Sequence, residues 1–368
     1  MLNNVQVLRA IAACFVLAAH TFQGLNEPHV DGAWGFGVYG VDLFFVISGF
    51  VMVYTTARKP VTPAAFFSNR VIRIVPLYWA LTFLVYALVI VAPSLFKATS
   101  SDPVELLKSL FFVAFEKSNG QVQPTLFLGW TLNYEMFFYA LFAAGLTIRS
   151  VKTRVLTICA VLALLALIGG TVPADAPVAH FYTSSLMLEF GYGMLIGLVY
   201  ERIGSRPSSL ATGAVLIAIG LAFLVLGPRD FGDLRFLTAG LPAAAVVWGA
   251  ISLEVRGWRI TSPALLLLGA ASYSLYLTHM FPVGAIEHVA GRMALDHGWL
   301  VPAIAVLSFA AAIATGVAVH LVLERPVDRA LRRYVRSRFQ PNQDDFAALW
   351  PWRRRDGRSR GDKGDERR

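Results

Sequence analysis

The sequence predicts an all-α, polytopic membrane protein of about ten transmembrane helices with both termini cytoplasmic. Three observations predict it. The 368 residues are 56% hydrophobic and only 15% charged, whereas a soluble protein carries about 25% charged residues, so the chain cannot give a soluble globule a normal polar surface. Apolar runs approaching the roughly 20 residues that a bilayer core requires recur through most of the chain rather than gathering in one tail. Lys and Arg fall unevenly on alternate loops, as expected when cytoplasmic loops are the basic ones.

The runs, bounded by Pro, Gly and charge clusters, are 5–23, 37–56, 74–92, 126–147, 155–171, 181–200, 209–227, 236–253, 263–281 and 301–323. The first lacks an A-x-A type cleavage site and is followed closely by the second, which excludes a signal peptide. With the N-terminus inside, Arg58, Lys59, Arg70, Arg73, Arg149, Lys152, Arg154, Arg202, Arg206, Arg256 and Arg259 lie on inner loops. Lys97, Lys108, Lys117, Arg229, Arg235 and Arg292 lie on outer ones. Eleven against six fits an even number of spans. Residues 103–115 are apolar but too short to span, and read as an interfacial or re-entrant helix. The ninth run continues past Pro282, which predicts a break or bend near its end. Gly37, Gly40 and Gly49 read as close helix-packing positions.

The net charge of +9 divides unevenly. Residues 324–368 hold 14 Lys/Arg against 8 Asp/Glu, and residues 1–323 hold 18 against 15. The excess belongs mainly to a tail that starts as a basic surface helix and ends as disordered, charged sequence, a topology anchor on anionic lipid rather than a nucleic-acid site. Cys14 and Cys159 sit in apolar runs without metal or disulfide spacing and read as two buried free thiols.

Charges inside spans are costly, about 2.5–3.5 kcal/mol each on insertion scales, so each one is a functional candidate. Arg9 and His20 are eleven residues apart on the first span, about three turns, and share a face roughly 16 Å apart along the axis. Asp42 enters with the second span, Trp130 and Glu135 with the fourth, and His279 ends the ninth. His20, Asp42, Glu135 and His279 thus share one depth, which predicts a polar cavity opening outward. A His beside a carboxylate is the minimum for general acid/base work. Either carboxylate could serve; Asp42 is the expected partner of His20 because adjacent antiparallel spans pack together. On the inner side Arg70 and Arg73, three residues apart at the start of the third span with Pro76 in its first turn, can clamp phosphate groups from one helical face or serve as plain positive-inside anchors.

Read together, LRAIAACFVLAAH, GVYGVDLFFVISGF, FFSNRVIRIVPLYW, LGWTLNYEMFFY and SYSLYLTH resemble the acyltransferase 3 family of integral membrane acyltransferases. The resemblance covers residues 3–325. NVQVLRAIAA, ISGFVMVYTT and GWTLNYEMFFY look most like bacterial exopolysaccharide O-acetyltransferases. It implies an acyltransferase transmembrane domain over 1–325, followed by the cytoplasmic tail of 326–368, in a bacterial cytoplasmic membrane. The tail is too short for the SGNH-type esterase domain that some members carry. The implied donor is an acyl-CoA, acetyl-CoA in the simplest case, with its phosphates on Arg70 and Arg73 and Arg9 contacting pantetheine or phosphate. No metal is expected. The implied acceptor is a carbohydrate hydroxyl, deprotonated by His20 or acylated through it. Asp42 would orient His20, Glu135 would position the acceptor or a second proton path, and Trp130 and His279 would bind substrate. Polysaccharide synthesis or export proteins are the expected partners. The rival readings are a transporter or flippase that uses His20, Asp42, Glu135 and Glu189 as a pathway, and a non-catalytic scaffold of an export complex.

Overall fold

Polar caps and prolines turn the apolar runs into helices. The structure is a computed structural model and describes residues 2–23, 35–57, 59, 61–96, 98–173, 175–203, 209–227, 234–293 and 300–339. Helix α1 spans Asn3–Gln23, α2 Gly40–Ala57, α3 Pro63–Val91, α4 Pro103–Leu110 and α5 Trp130–Gly145. Then come α6 Val151–Gly169, α7 Pro177–Tyr182, α8 Leu188–Ile203, α9 Leu210–Leu226 and α10 Leu241–Val255. The last five are α11 Pro263–Ala270, α12 Ser272–Thr278, α13 Met280–Arg292, α14 Leu300–Val319 and α15 Arg325–Phe339. Side-chain oxygens of Thr62, Asp102, Ser150 and Ser209 accept first-turn amides at the starts of α3, α4, α6 and α9, which satisfies donors that a helix cannot satisfy itself. No strand occurs among the described residues.

All ten apolar runs fall on helix. Among the described residues six helical stretches are long and apolar enough to cross a bilayer, and a bent pair, taken as one span, makes a seventh. Helices α5, α8 and α9, at 16, 16 and 17 residues, are a few residues short of the length a bilayer core takes. Three expectations are corrected in detail. Helix α3 starts at Pro63 behind the Thr62 cap, so Arg70 and Arg73 lie inside a 29-residue helix rather than at its start, and Pro76 is interior. The bent span turns by 57° at Ala271, where Gly269 presses so closely on α1 that an added Cβ would meet the Gln6 carbonyl at 2.0 Å. Pro282 instead sits in the first turn of α13, where a missing N–H costs little. Both cysteines are free but only partly buried.

Residues 103–110 form the short helix α4, and Val104, Leu107 and Phe111 leave their apolar surface exposed, as an interfacial segment does. The expected basic helix is α15, while 340–368 lie outside the described residues. The start of α1 is tied to the end of α10: the Asn3 and Asn4 amides donate to Glu254 at 2.8 and 2.7 Å, a carboxylate capping a helix N-terminus from across the fold.

Glycine contacts decide how α2 is rotated. A Cβ on Gly40 would lie 2.3 Å from the Ala12 carbonyl, so this face lies against α1. Gly49 and Gly193 let α2 and α8 meet with similar intimacy, since their added Cβ atoms would lie 2.1 Å from the Phe190 carbonyl and 1.9 Å from that of Val46. Asp42 is two residues beyond Gly40, hence about 200° round the helix, and seven before Gly49, almost the same azimuth. It therefore faces away from α1. The carboxylate is fully buried and takes both arms of Arg235, Nε to Oδ1 at 2.9 Å and Nη2 to Oδ2 at 2.7 Å. Arg235 stands immediately before a π-helical turn, Phe236–Gly240, that leads into α10. The expected pairing of Asp42 with His20 is therefore replaced by a pin between α2 and α10.

Removing one member of a buried ion pair leaves the other uncompensated, at a cost of about 3 kcal/mol or more. Asp42→Ala should accordingly lower the thermal unfolding temperature of the detergent-solubilised protein, and Asp42→Ala combined with Arg235→Met should recover part of the loss. If the single variant melts with the wild type, the pin is not holding the two helices together.

Candidate functional site

Helices α1, α2, α3, α5 and α12 all contribute polar residues to a common cavity. Arg9 comes from α1, Ser48 from α2, Arg70 and Arg73 from α3, Glu135 and Tyr139 from α5, and Tyr273 and Tyr276 from α12. They line a space of about 120 Å³. Apolar residues such as Phe44, Phe45 and Ile74 complete the wall, so the charges act in surroundings that screen them poorly.

The three expected donor-site arginines are thus brought together. Their settings differ. Arg70 lies over the rings of Phe66 and Tyr139, at 5.4 and 5.6 Å, and its buried Nε has no hydrogen-bond partner among the described residues. Arg73 lies over the Tyr273 ring at 5.5 Å and donates to Glu324. Glu135 accepts from the Ser48 hydroxyl at 2.9 Å and from the Tyr139 hydroxyl. Expected beside His20, it lines the arginine cavity instead. The reason is axial: Glu135 is five residues into α5, so it lies more than a turn further along the helix than Trp130.

Among the described residues His20 is joined by His279 rather than by a carboxylate. Nδ1 of His279 lies 2.7 Å from the Tyr276 carbonyl and 3.2 Å from that of Leu275. A carbonyl only accepts, so in the neutral ring Nδ1 carries the proton and Nε2 is left as an acceptor. That Nε2 lies 3.2 Å from Nδ1 of His20, which is also 2.9 Å from the Val16 carbonyl. By the same logic Nδ1 of His20 carries a proton, and its Nε2 keeps the lone pair. The array can hold one imidazole nitrogen ready as a base.

The two groups adjoin. Tyr276 lines the cavity and its ring centroid is 6.2 Å from that of His279, one helical turn on. Its hydroxyl contacts Thr131 Oγ1 at 2.8 Å and donates to the Leu128 carbonyl at 3.0 Å. Phe127 sets its ring edge-on to His20, 6.0 Å between centroids. Trp130 packs edge-on to Tyr134 at 6.0 Å and does not line the arginine cavity. Glu189, fully buried in the first turn of α8, has neither carboxylate oxygen hydrogen-bonded among the described residues. It lies against Gly240 beside the Asp42–Arg235 pin.

Sequence reasoning missed Glu324 and the pinning role of Arg235. Glu324 stands next to the basic tail and reads as part of it. The only signal was His320 four residues earlier, which places both on one helical face. Among the described residues no group of three His, Cys, Asp or Glu stands close enough to hold a metal ion.

Comparison with known proteins gives this geometry a family. An acyltransferase-domain family model, acyltransferase 3, matches residues 2–321. The chain is 37% identical to the exopolysaccharide production protein ExoZ of Rhizobium meliloti (strain 1021), over 80% of this chain and 90% of that protein. It is 27% identical to the acyltransferase MdmB of Streptomyces mycarofaciens, over 93% and 96%. No solved structure matches. The ordered motifs, the helical bundle and the match across nearly all of the described chain agree: this protein belongs to the acyltransferase 3 family as a multi-pass membrane member.

Proposed function

We propose that the protein transfers an acyl group, acetyl in the simplest case, from acyl-CoA to a hydroxyl of a surface or extracellular polysaccharide or its lipid-linked precursor. It would do so from the bacterial cytoplasmic membrane, with the ten helical runs crossing the bilayer and both termini inside. One observation carries the reading: a cavity lined by Arg9, Arg70 and Arg73 ends one helical turn from the His20–His279 pair. A cationic, partly apolar cavity suits a donor with phosphates and a long, mostly neutral arm. Similarity to an exopolysaccharide production protein supports a glycan acceptor.

In this mechanism the phosphates rest on the guanidinium groups, which can give paired, charge-assisted hydrogen bonds. The arm runs along the cavity toward Tyr276 and brings the thioester to His20. Nε2 of His20 takes the proton of the acceptor hydroxyl, whose oxygen attacks the thioester carbonyl. The carbon–sulfur bond breaks, and the leaving thiolate recovers the proton from His20. No net proton is consumed. His279 takes the role expected of Asp42: its Nε2 accepts from His20 Nδ1 and keeps the other nitrogen free. Glu135 neutralises part of the arginine charge beside the donor arm. Trp130 remains a candidate stacking surface for a sugar ring at the entrance of α5. The transport reading finds less support, because Glu189 lies in the Asp42–Arg235 group rather than in line with His20.

Transfer of labelled acetyl from acetyl-CoA to a polysaccharide acceptor, with purified protein in nanodiscs, tests the whole reading. His20→Ala should lose about 10²–10⁴-fold in kcat, the usual worth of a general base; a folded variant with wild-type turnover would remove His20 from the chemistry. Replacing Arg70 and Arg73 by Gln should raise KM for acetyl-CoA and leave KM for the acceptor nearly unchanged. His279→Phe, which keeps a ring but no acceptor, should lower kcat about 10–100-fold, as loss of an imidazole's outer partner does in metal sites. His279→Gln should restore part of the rate, and equal rates for the two variants would mean that His279 only fills space.

A further inference from the structure

The most heavily bonded carboxylate in the described chain has no place in the mechanism so far. Glu324 closes a π-helical turn, His320–Glu324, between α14 and α15, and only 3% of its side chain is exposed. A buried carboxylate is tolerated when its lone pairs are satisfied, and three elements satisfy this one. Arg73 of α3 donates to Oε1. The Ser274 hydroxyl of α12 donates to Oε2, and Nδ1 of His320 is 2.8 Å from the same oxygen. His320 and Glu324 bracket the π-helical turn, and such turns are frequent at functional sites.

The two ends of the Arg73–Glu324 pair are unlike. The carboxylate is closed in, whereas 26% of the Arg73 side chain is exposed and lines the cavity. A guanidinium has five N–H donors in a rigid plane, so a bond at one edge fixes the direction of the others. The Tyr273 ring beneath is itself held, its hydroxyl donating to the Ile74 carbonyl at 2.6 Å. Arg70, by contrast, rests on rings, and its Nε has no hydrogen-bond partner among the described residues. One arginine is aimed and the other is free to adjust.

We propose that Glu324 is a positioning residue: with Ser274 and His320 behind it, it aims the free edge of Arg73 at the anionic part of the donor. This rests on the donor-site reading above. A helix-to-helix tie with no role at the site would affect stability and both substrates alike, whereas an aiming residue acts on donor affinity through Arg73 alone.

The test is a double-mutant cycle on acetyl transfer in nanodiscs, with melting temperatures measured for every variant. Glu324→Gln should raise KM for acetyl-CoA about five- to tenfold, what one net hydrogen bond is worth, with kcat and acceptor KM within about twofold of wild type. In an Arg73→Gln background the same substitution should add nothing, because interacting residues do not have additive effects. Additive effects, an unchanged KM for acetyl-CoA, or a loss confined to kcat and melting temperature would overturn the proposal. If Arg73→Gln alone leaves that KM unchanged, the donor-site reading itself fails, which is a distinct result. Should Glu324→Gln not accumulate in membranes, Ser274→Ala removes one bond to Oε2 without changing charge. It should raise KM about two- to threefold, and again only when Arg73 is present; no rise overturns the proposal.

Discussion

A charge among apolar helices is costly unless it is answered by another charge or by several hydrogen bonds, and much of this structure follows from how most of its few charges are answered. Asp42 is answered by Arg235, Glu324 by Arg73, Ser274 and His320, and Glu135 by Ser48 and Tyr139. Each solution links helices distant in sequence. Asp42 joins α2 to the start of α10, Glu324 joins the end of α14 to α3 and α12, and Glu135 joins α5 to α2. What remains unmatched is informative as well: the arginines retain donor capacity that the carboxylates of the cavity do not use, and this excess sits where a polyanionic donor would bind.

Small residues make those answers geometrically possible. Gly40 turns one face of α2 onto α1, while Gly49 and Gly193 seat the opposite face on α8. Once α2 is held in this rotation, Asp42 has to look toward α8 and α10 and cannot reach His20. His20 then needs another partner, and His279 arrives from the junction of α12 and α13, beyond the 57° bend at Ala271. The two π-helical turns among the described residues fall beside an ionic group, Arg235 in one case and Glu324 in the other. In each, a local departure from regular helix accompanies a buried charge that has been satisfied.

Helix periodicity and run length are local properties, so they were legible without the fold. That holds for the membrane character, the ten apolar runs, the too-short segment now seen as α4, the packing role of the glycines and the shared face of Arg9 and His20. The caps at Thr62 and Ser150 are local signals too, and the helix that Thr62 starts runs eleven residues ahead of the apolar run at 74–92. Depth along a span was legible only to within a turn or two. That error put Glu135 level with His20, although the structure sets it with the arginines.

The sequence by itself determined which residues are chemically exceptional: Arg9, His20, Asp42, Glu135 and His279 are ionisable where ionisation is expensive, Arg70 and Arg73 pair two cations on one helical face, and nothing about the fold was needed to find them. Only the tertiary structure decided who partners whom. Pairing depends on the rotation of each helix about its axis and on its register against neighbours far away in sequence. A change of one residue swings a side chain by about 100°, more than enough to exchange a histidine partner for an arginine. For that reason Asp42 became a structural pin, His279 became the neighbour of His20, and Glu324, unremarkable beside a basic tail, became the residue behind Arg73.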